Sequence, residues 1–336
     1  MRAIDPPSGK SRSRAVGPSG TRAALEVPTM RIVISLGGNA LSRRSGHPDG
    51  DGQAVDTDRV TTTLVGLALQ HEVVIVHGNG PRTGPLAEES AAGPAPDAPY
   101  PPDLSGAQAQ GAIGSLLVRA LYDVLPGHRV AALVTHTLVR ADDPAFDRPT
   151  EFVGPVYSRE IADVLARRHH WHIAQDGGGW RRVVPSPLPE RVLETETVHA
   201  LLGHRVLVVC AGGGGIAVTA DHDTGALTSV EAVVDKDLAA AVLAEDLKAD
   251  FLLLLTDVPC VYAGTGTRGA QPVLDTTPED LRRRSFPAAS MGTKAEAAAR
   301  FVERTGALAA IGALDAAYEI VHGRSGTLVC RDLTAA

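Results

Sequence analysis

Two lysines stand where a cation is electrostatically out of place. Val234-Asp-Lys-Asp-Leu238 and Ser290-Met-Gly-Thr-Lys294 each read as a helix opening, the second capped by Ser290, so Lys236 and Lys294 fall in first turns. The helix dipole disfavours lysine there and favours aspartate. Lys236 is therefore either held by Asp235 and Asp237 or kept for a ligand, and Lys294 repeats the oddity. Only four lysines occur, at positions 10, 236, 248 and 294, which weakens the reading of these two as surface filler. Three glycine clusters complement them. Ile32-Val-Ile34 runs into Gly37-Gly38, Val73-Val-Ile-Val76 into His77-Gly-Asn-Gly-Pro81, and Val206-Leu-Val-Val209 into Cys210-Ala-Gly-Gly-Gly-Gly215. Glycines at the ends of buried strands bring backbone N–H groups close to an anion. Parallel strands would align all three clusters on one sheet edge, where Leu254-Leu-Thr-Asp-Val258 also places Asp257, as a ligand-site or a turn-capping carboxylate. Phosphoryl transfer needs this equipment, because fixed donors and cations must meet charge spread over the moving group. Gly37, Gly38, Gly78 and Gly80 would hold the acceptor side, and Lys236 and Lys294 the nucleotide phosphates with Mg²⁺ bridging. No G-x-x-x-x-G-K-[ST] loop and no dinucleotide fingerprint occurs, so those two nucleotide-binding classes are set aside.

The elements around these residues alternate. Helical spacing runs from Thr57 to Gln70, with Thr57 or Asp58 as cap, and again from Ser105 to Leu125. Arg129-Val-Ala-Ala-Leu-Val-Thr135 reads as a strand. Helices near 191–202, 235–248, 290–305 and 314–322 alternate with strands at 205–209, 251–255, 307–312 and 327–330. Asp223-Thr-Gly225 marks a turn between two short strand-like pieces. This order predicts a largely parallel sheet covered on both faces. Residues 136–190 lose the hydrophobic period and read as an excursion, a small protruding subdomain or lid. Residues 1–29, rich in Ser, Arg, Pro and Gly, read as a disordered tail whose removal leaves stability and nucleotide affinity unchanged. Among 336 residues, 44% are hydrophobic and only 4% aromatic, so the core is aliphatic. A net charge of −7 argues against general nucleic-acid binding. Cys210, Cys260 and Cys330 read as buried thiols in a reducing cytoplasm, and no apolar run is long enough for a membrane span. The His169, His170 and His172 cluster lacks acid partners for a metal, and His77 reads as packed or ligand-orienting, not as a base.

Taken together, Ser35-Leu-Gly-Gly-Asn-Ala40, Val76-His-Gly-Asn-Gly-Pro81, Ala141-Asp-Asp-Pro-Ala-Phe146, Gly154-Pro-Val-Tyr157, Arg181-Arg-Val-Val-Pro-Ser-Pro187, Glu231-Ala-Val-Val-Asp-Lys-Asp-Leu-Ala239 and Ser290-Met-Gly-Thr-Lys294 resemble the motifs of carbamate kinases, in the amino-acid kinase superfamily. The match runs in order from about Ile32 to Val329. The resemblance implies a three-layer αβα sandwich with an open, mostly parallel central sheet of eight strands and a protruding subdomain, as a homodimer. It implies an acceptor-binding lobe over 30–204, including the subdomain 136–190, and a nucleotide-binding lobe over 205–336. The implied reaction is reversible transfer between ATP and carbamate, running toward ATP at the end of arginine breakdown, with Mg²⁺ carried by the nucleotide. Carried over by residue, Lys236, Lys294 and Asp235 are the catalytic candidates. Gly37, Gly38, Asn39, Gly78, Asn79, Gly80, Gly213 and Gly214 fall to the phosphate and acceptor loops, and Asp257, Val258, Tyr262, Met291, Gly292 and Lys294 to the nucleotide site.

Three departures bear on the acceptor. Thr150-Glu-Phe-Val-Gly-Pro155 stands where the family commonly reads Thr-Lys-Pro-Ile-Gly-Pro, so Glu151 replaces a basic residue. Residues 136–190 contain no lysine, leaving Arg140 or Arg148 to supply any cation, and Arg82-Thr83 replaces Gln-Val. The leading expectation has Glu151 pointing to solvent and carbamoyl phosphate serving as an efficient donor. The alternatives are a paralogue acting on another small carboxylate or carbamate, and a weakly catalytic nucleotide sensor. Lys236→Ala is expected to cost about 10²-fold in kcat with little change in stability, as an exposed helix-end lysine would.

Overall fold

The computed structural model describes residues 29–38, 56–79, 102–264, 269–284, 286 and 291–333. In chain order the first half forms β1 (Arg31–Leu36), α1 (Thr57–Ala68), β2 (Glu72–His77), α2 (Pro102–Val124), β3 (Arg129–Ala132), β4 (His136–Val139), β5 (Glu151–Tyr157), α3 (Arg159–His169), β6 (His172–Asp176), β7 (Gly179–Val184), β8 (Pro189–Val192), α4 (Thr195–Gly203) and β9 (Val206–Cys210). The second half adds β10 (Ile216–Ala220), β11 (Leu227–Val233), α5 (Lys236–Asp246), β12 (Phe251–Thr256), β13 (Val261–Ala263), β14 (Gln271–Val273), β15 (Asp275–Thr276), α6 (Pro278–Arg283), α7 (Thr293–Thr305), β16 (Leu308–Ala313), α8 (Ala317–Val321) and β17 (Thr327–Val329).

Eight strands in the order β15-β17-β16-β12-β1-β2-β9-β3 make the central sheet. Every neighbouring pair is parallel except β16 and β17. The apolar runs of its inner strands β1, β2, β9 and β12 are buried on both sides, as a parallel sheet between helix layers requires. The period of two decides which layer each residue meets. Ile32, Ile34 and Leu36 pack with Leu64 of α1, Ile113 and Leu117 of α2 and Ile320 of α8. Val33, one step out of phase, packs with Val198 of α4, Leu243 of α5 and Phe301 of α7. Ser35 shares the face of Val33. The result is the three-layer αβα sandwich expected.

Helix α5 is the most enclosed. Asp237 through Ala244 are all buried, and four of those eight residues are alanine, which lets a second sheet, β11-β10-β4-β8, close over it. Ala239 meets Val139, Ala217, Ala232 and Val234 there. A third sheet, β5-β7-β6, carries α3 and both of the chain's tryptophans. Arg159 lies over the Trp180 ring at 3.9 Å and Arg182 over Trp171 at 4.5 Å, while His169 stacks on Trp171.

Several boundaries differ from the sequence reading. The excursion is not wholly irregular, because β4 and β8 at its two ends pair with each other in the second sheet. Strands of four residues are too short for a clear period, and in β8 the exposed Glu190 and Arg191 are adjacent and do not alternate. The strand at 129–135 ends at Ala132, and the helix near 191–202 begins only at Thr195, after β8. Asp56, not Thr57 or Asp58, caps α1 by accepting from the Arg59 N–H. The β13–β14 hairpin, β15 and α6 were not foreseen. The tail reading over 1–28, and the readings at Asn39, Gly80, Arg82, Thr83 and Ser290, lie outside the described residues.

Candidate active site

Strands β1, β2, β9 and β12 all deliver their carboxyl ends to one edge of the central sheet. The Gly37 N–H donates to the Leu255 carbonyl at 3.1 Å and the Gly78 N–H to the Leu36 carbonyl at 3.0 Å, which locks the first two glycine loops side by side. A Cβ on Gly78 would sit 3.1 Å from the Gly38 nitrogen and 3.2 Å from its Cα, so glycine here is what lets the first two loops approach closely, with the Lys236 stem in ordinary contact alongside. The third loop closes the group. Gly213 abuts the Asn79 side chain, and a Cβ on Gly214 would stand 2.1 Å from the Val234 carbonyl oxygen, just before α5. Gly214 also holds φ at +88°, which side chains rarely adopt. Gly214→Ala should therefore lower the unfolding free energy by roughly 2–4 kcal/mol through backbone strain and clash. An unchanged urea midpoint would mean that this loop does not buttress α5.

Lys236 and Lys294 come from different helices and meet at one atom. Each Nζ lies 2.8 Å from Oδ2 of Asp237. Asp237 is 1% exposed, Lys294 5%. Lys236 is not the exposed helix-end lysine expected, since its side chain is only 15% exposed. Burial opposes the charge on Asp237, yet the two ammonium groups hold its carboxyl well below the usual carboxylate range. Burial also disfavours charge on Lys236, but Asp237 and Asp235 outweigh it and raise that lysine's pKa. Lys294 goes the other way, lowered by burial and by the neighbouring Lys236 despite Asp237. Two ammonium groups converging on one carboxylate oxygen concentrate positive charge at one point beside the glycine loops, which suits a polyanionic ligand.

Asp235 takes a capping role instead of standing between the lysines. Its Oδ1 accepts from the Asp237 N–H at 2.8 Å and the Leu238 N–H at 3.0 Å, the geometry of an N-cap. Asp237 is the anion that orders the pair; the sequence names it as a partner for Lys236 but not for Lys294, and does not place it among the catalytic candidates. Capping spacing was the available signal, because an N-cap carboxylate bonds two and three residues ahead. His77 is buried between the loops, with its pKa lowered to about 4 by burial, so it is neutral at physiological pH.

Asp257, Val258, Tyr262, Met291 and Gly292 fall on the β12 side of the site. Asp257 follows β12 and accepts from the Thr256 hydroxyl at 3.1 Å. Tyr262 lies in β13, and Met291 and Gly292 form the turn leading into α7. Glu151, at the start of β5, is exposed but not remote. The Thr150 N–H bonds the Val184 carbonyl and the Val233 N–H the Pro185 carbonyl, which ties the start of β5 to the residues before α5. Burial and the Asp235 charge raise the Glu151 pKa, with Arg181 and Lys236 opposing. Glu151 is solvent-exposed, as expected, yet close enough to α5 for its charge and those of Asp235 and Lys236 to act on one another. Arg140 is bound to Asp142 in a solvent-exposed pair.

A sheet edge with three glycine loops and two lysines converging on one buried carboxylate suits phosphoryl transfer. The amino acid kinase family model matches residues 30–312, and the chain belongs to that family. Its relatives there include carbamate kinases. The Rhizobium meliloti (strain 1021) carbamate kinase is 42% identical over 89% of this chain and 93% of its own. That of Pyrococcus furiosus is 41% identical over 89% of this chain and 98% of its own. The structure of Giardia lamblia carbamate kinase bound to AMP-PNP superposes with a TM-score of 0.82 at 32% identity, covering 91% of this chain and 99% of that one.

Proposed function

We propose that this chain is a carbamate kinase, moving a phosphoryl group reversibly between ATP and carbamate. The observation that carries this reading is the pair of lysines held on Asp237 beside the glycine loops, in a chain about 40% identical to carbamate kinases. Lys236 and Lys294 would meet the oxygens of the transferring group, and the N–H groups of Gly37, Gly38 and Gly78 would orient it. A carbamate oxygen is already anionic, so attack on phosphorus requires no proton removal. Neutral His77 fits that scheme as a packed wall, not a base. Mg²⁺ is consistent with this donor set. Among the described residues no group of three or more His, Cys, Asp or Glu converges, and Mg²⁺ is commonly held by substrate phosphates plus few protein ligands. It would arrive on the nucleotide phosphates that the lysines hold, and there neutralise charge.

Glu151 favours a second reading, in which the acceptor is a different small carboxylate or carbamate. One assay separates the two. Purified protein given ADP, Mg²⁺ and carbamoyl phosphate should form ATP, and Glu151→Gln should lower the KM for carbamoyl phosphate severalfold by removing a like charge close to α5. ATP formation from another acyl phosphate, but not this one, would establish the second reading. Saturable nucleotide binding with no turnover on any donor would make the chain a sensor.

A further inference from the structure

Ser35 is the only polar residue between Ile32 and Leu36, in the middle of the central sheet. Its cross-strand neighbours are Val76 on β2 and Leu254 on β12, and it is 0% exposed. A hydroxyl among aliphatic side chains is costly unless it is hydrogen-bonded. Here its Oγ donates to Oδ1 of Asp237 at 2.6 Å, across the gap between the sheet and α5. The opposite oxygen, Oδ2, receives both lysine ammonium groups at 2.8 Å. One carboxylate therefore divides its two faces, one to the serine and one to the lysines.

We propose that Ser35 is the positioning residue of the lysine pair, its hydroxyl occupying Oδ1 of Asp237 so that both ammonium groups must share Oδ2. The terminal torsion of an aspartate is broad and roughly twofold, so packing alone does not fix which oxygen faces which lysine. With Oδ1 taken, the ammonium groups are drawn onto a single atom and kept close together despite their repulsion. With Oδ1 vacated, one lysine moves to it and the pair spreads. A spread pair no longer presents its charge at one point to a transferring phosphoryl group, and misplacements of about 1 Å can cost up to 10²-fold in rate. This kinetic consequence rests on the phosphotransferase reading above, whereas the lock itself does not.

The four lysines allow a substrate-free test. With ¹⁵N,¹³C-lysine, the Nζ and Cε signals of Lys236 and Lys294 are followed against pH in the native protein and in Ser35→Ala. Asp237 and Lys236 face Lys294, and Asp235 and Glu151 act on Lys236, so both signals are needed. Spreading the pair relieves the repulsion on Lys294, so its titration should move upward in pH in the variant. Its kcat should fall about tenfold, with the nucleotide KM changed less than twofold. Adding Ser35→Ala to Asp237→Asn should cost nothing further, because the serine acts only through that carboxylate. Titration curves that superimpose on the native ones, or an equal loss in the Asp237→Asn background, would overturn the proposal. If Ser35→Ala does not fold, Ser35→Cys, similar in size and a weak donor, is read by the same signals. A native protein inert toward carbamoyl phosphate would overturn the functional reading alone, since the titration needs no substrate.

Discussion

Asp237→Ala should fail in both stability and turnover. The carboxylate is buried at 1% exposure and is the direct ion-pair partner of two ammonium groups, the buried Lys294 and the part-buried Lys236. Removing one partner of a buried pair leaves uncompensated charge, which typically costs about 3–5 kcal/mol of unfolding free energy. Turnover should drop by at least about 10²-fold, because the lysines repel one another out of register. The pH dependence has a definite sign. Because the folded carboxyl titrates well below the unfolded value of about 4, its contribution is complete above that value. It is lost as pH falls through the folded pKa. The native protein should therefore lose stability on acidification below about pH 4 more steeply than the variant. Urea midpoints measured from pH 7 to pH 3 test this, and parallel curves for the two proteins would remove Asp237 from the electrostatic core.

Lys236→Ala should lower kcat by about 10²–10³-fold, the scale of removing one donor to a charged transition state. Its effect on stability should be moderate, since Asp237 keeps Lys294 at 2.8 Å and Ser35 at 2.6 Å. A charge-assisted hydrogen bond of this kind contributes about 1.5–3 kcal/mol. Nucleotide affinity should change much less than kcat, if the lysine meets the group in flight more strongly than the bound ground state. Steady-state rates and ADP titration calorimetry separate these effects. A variant with near-native kcat and a weakened Kd would make Lys236 a binding residue only.

Local signals carried far in this chain. The uncharged runs of β1, β2, β9 and β12 announced a doubly covered parallel sheet, and the glycines after them announced its ligand edge. Lys236 and Lys294 were visible because a lysine at a helix start is electrostatically odd. What was hidden depended on distance along the chain. The Ser35–Asp237 bond spans 202 residues and the Lys294–Asp237 bond 57. No periodicity records such a pairing, and so Asp235, not Asp237, was placed among the catalytic candidates. The short strands β4 and β8 were missed because each offers only four residues of pattern, and the exposed Glu190 and Arg191 sit side by side in β8 instead of alternating. Glu151 is solvent-exposed as the sequence suggests, but nothing local shows that β5 begins against the residues preceding α5.

The aromatic poverty of the chain gives it a built-in optical probe. Its two tryptophans, Trp171 and Trp180, both belong to the β5-β7-β6 unit, and each lies under a guanidinium. Tryptophan emission, excited to the red of the five tyrosines, therefore comes from the small sheet alone, and the eight-stranded sheet is dark in that channel. When Arg159 and Arg182 leave the indole faces, the emission maximum and intensity change with no label attached. Backbone circular dichroism, by contrast, is dominated by the helices and the large sheet. Followed together during heating or nucleotide addition, the two signals reveal whether the small sheet moves with the rest of the molecule or ahead of it.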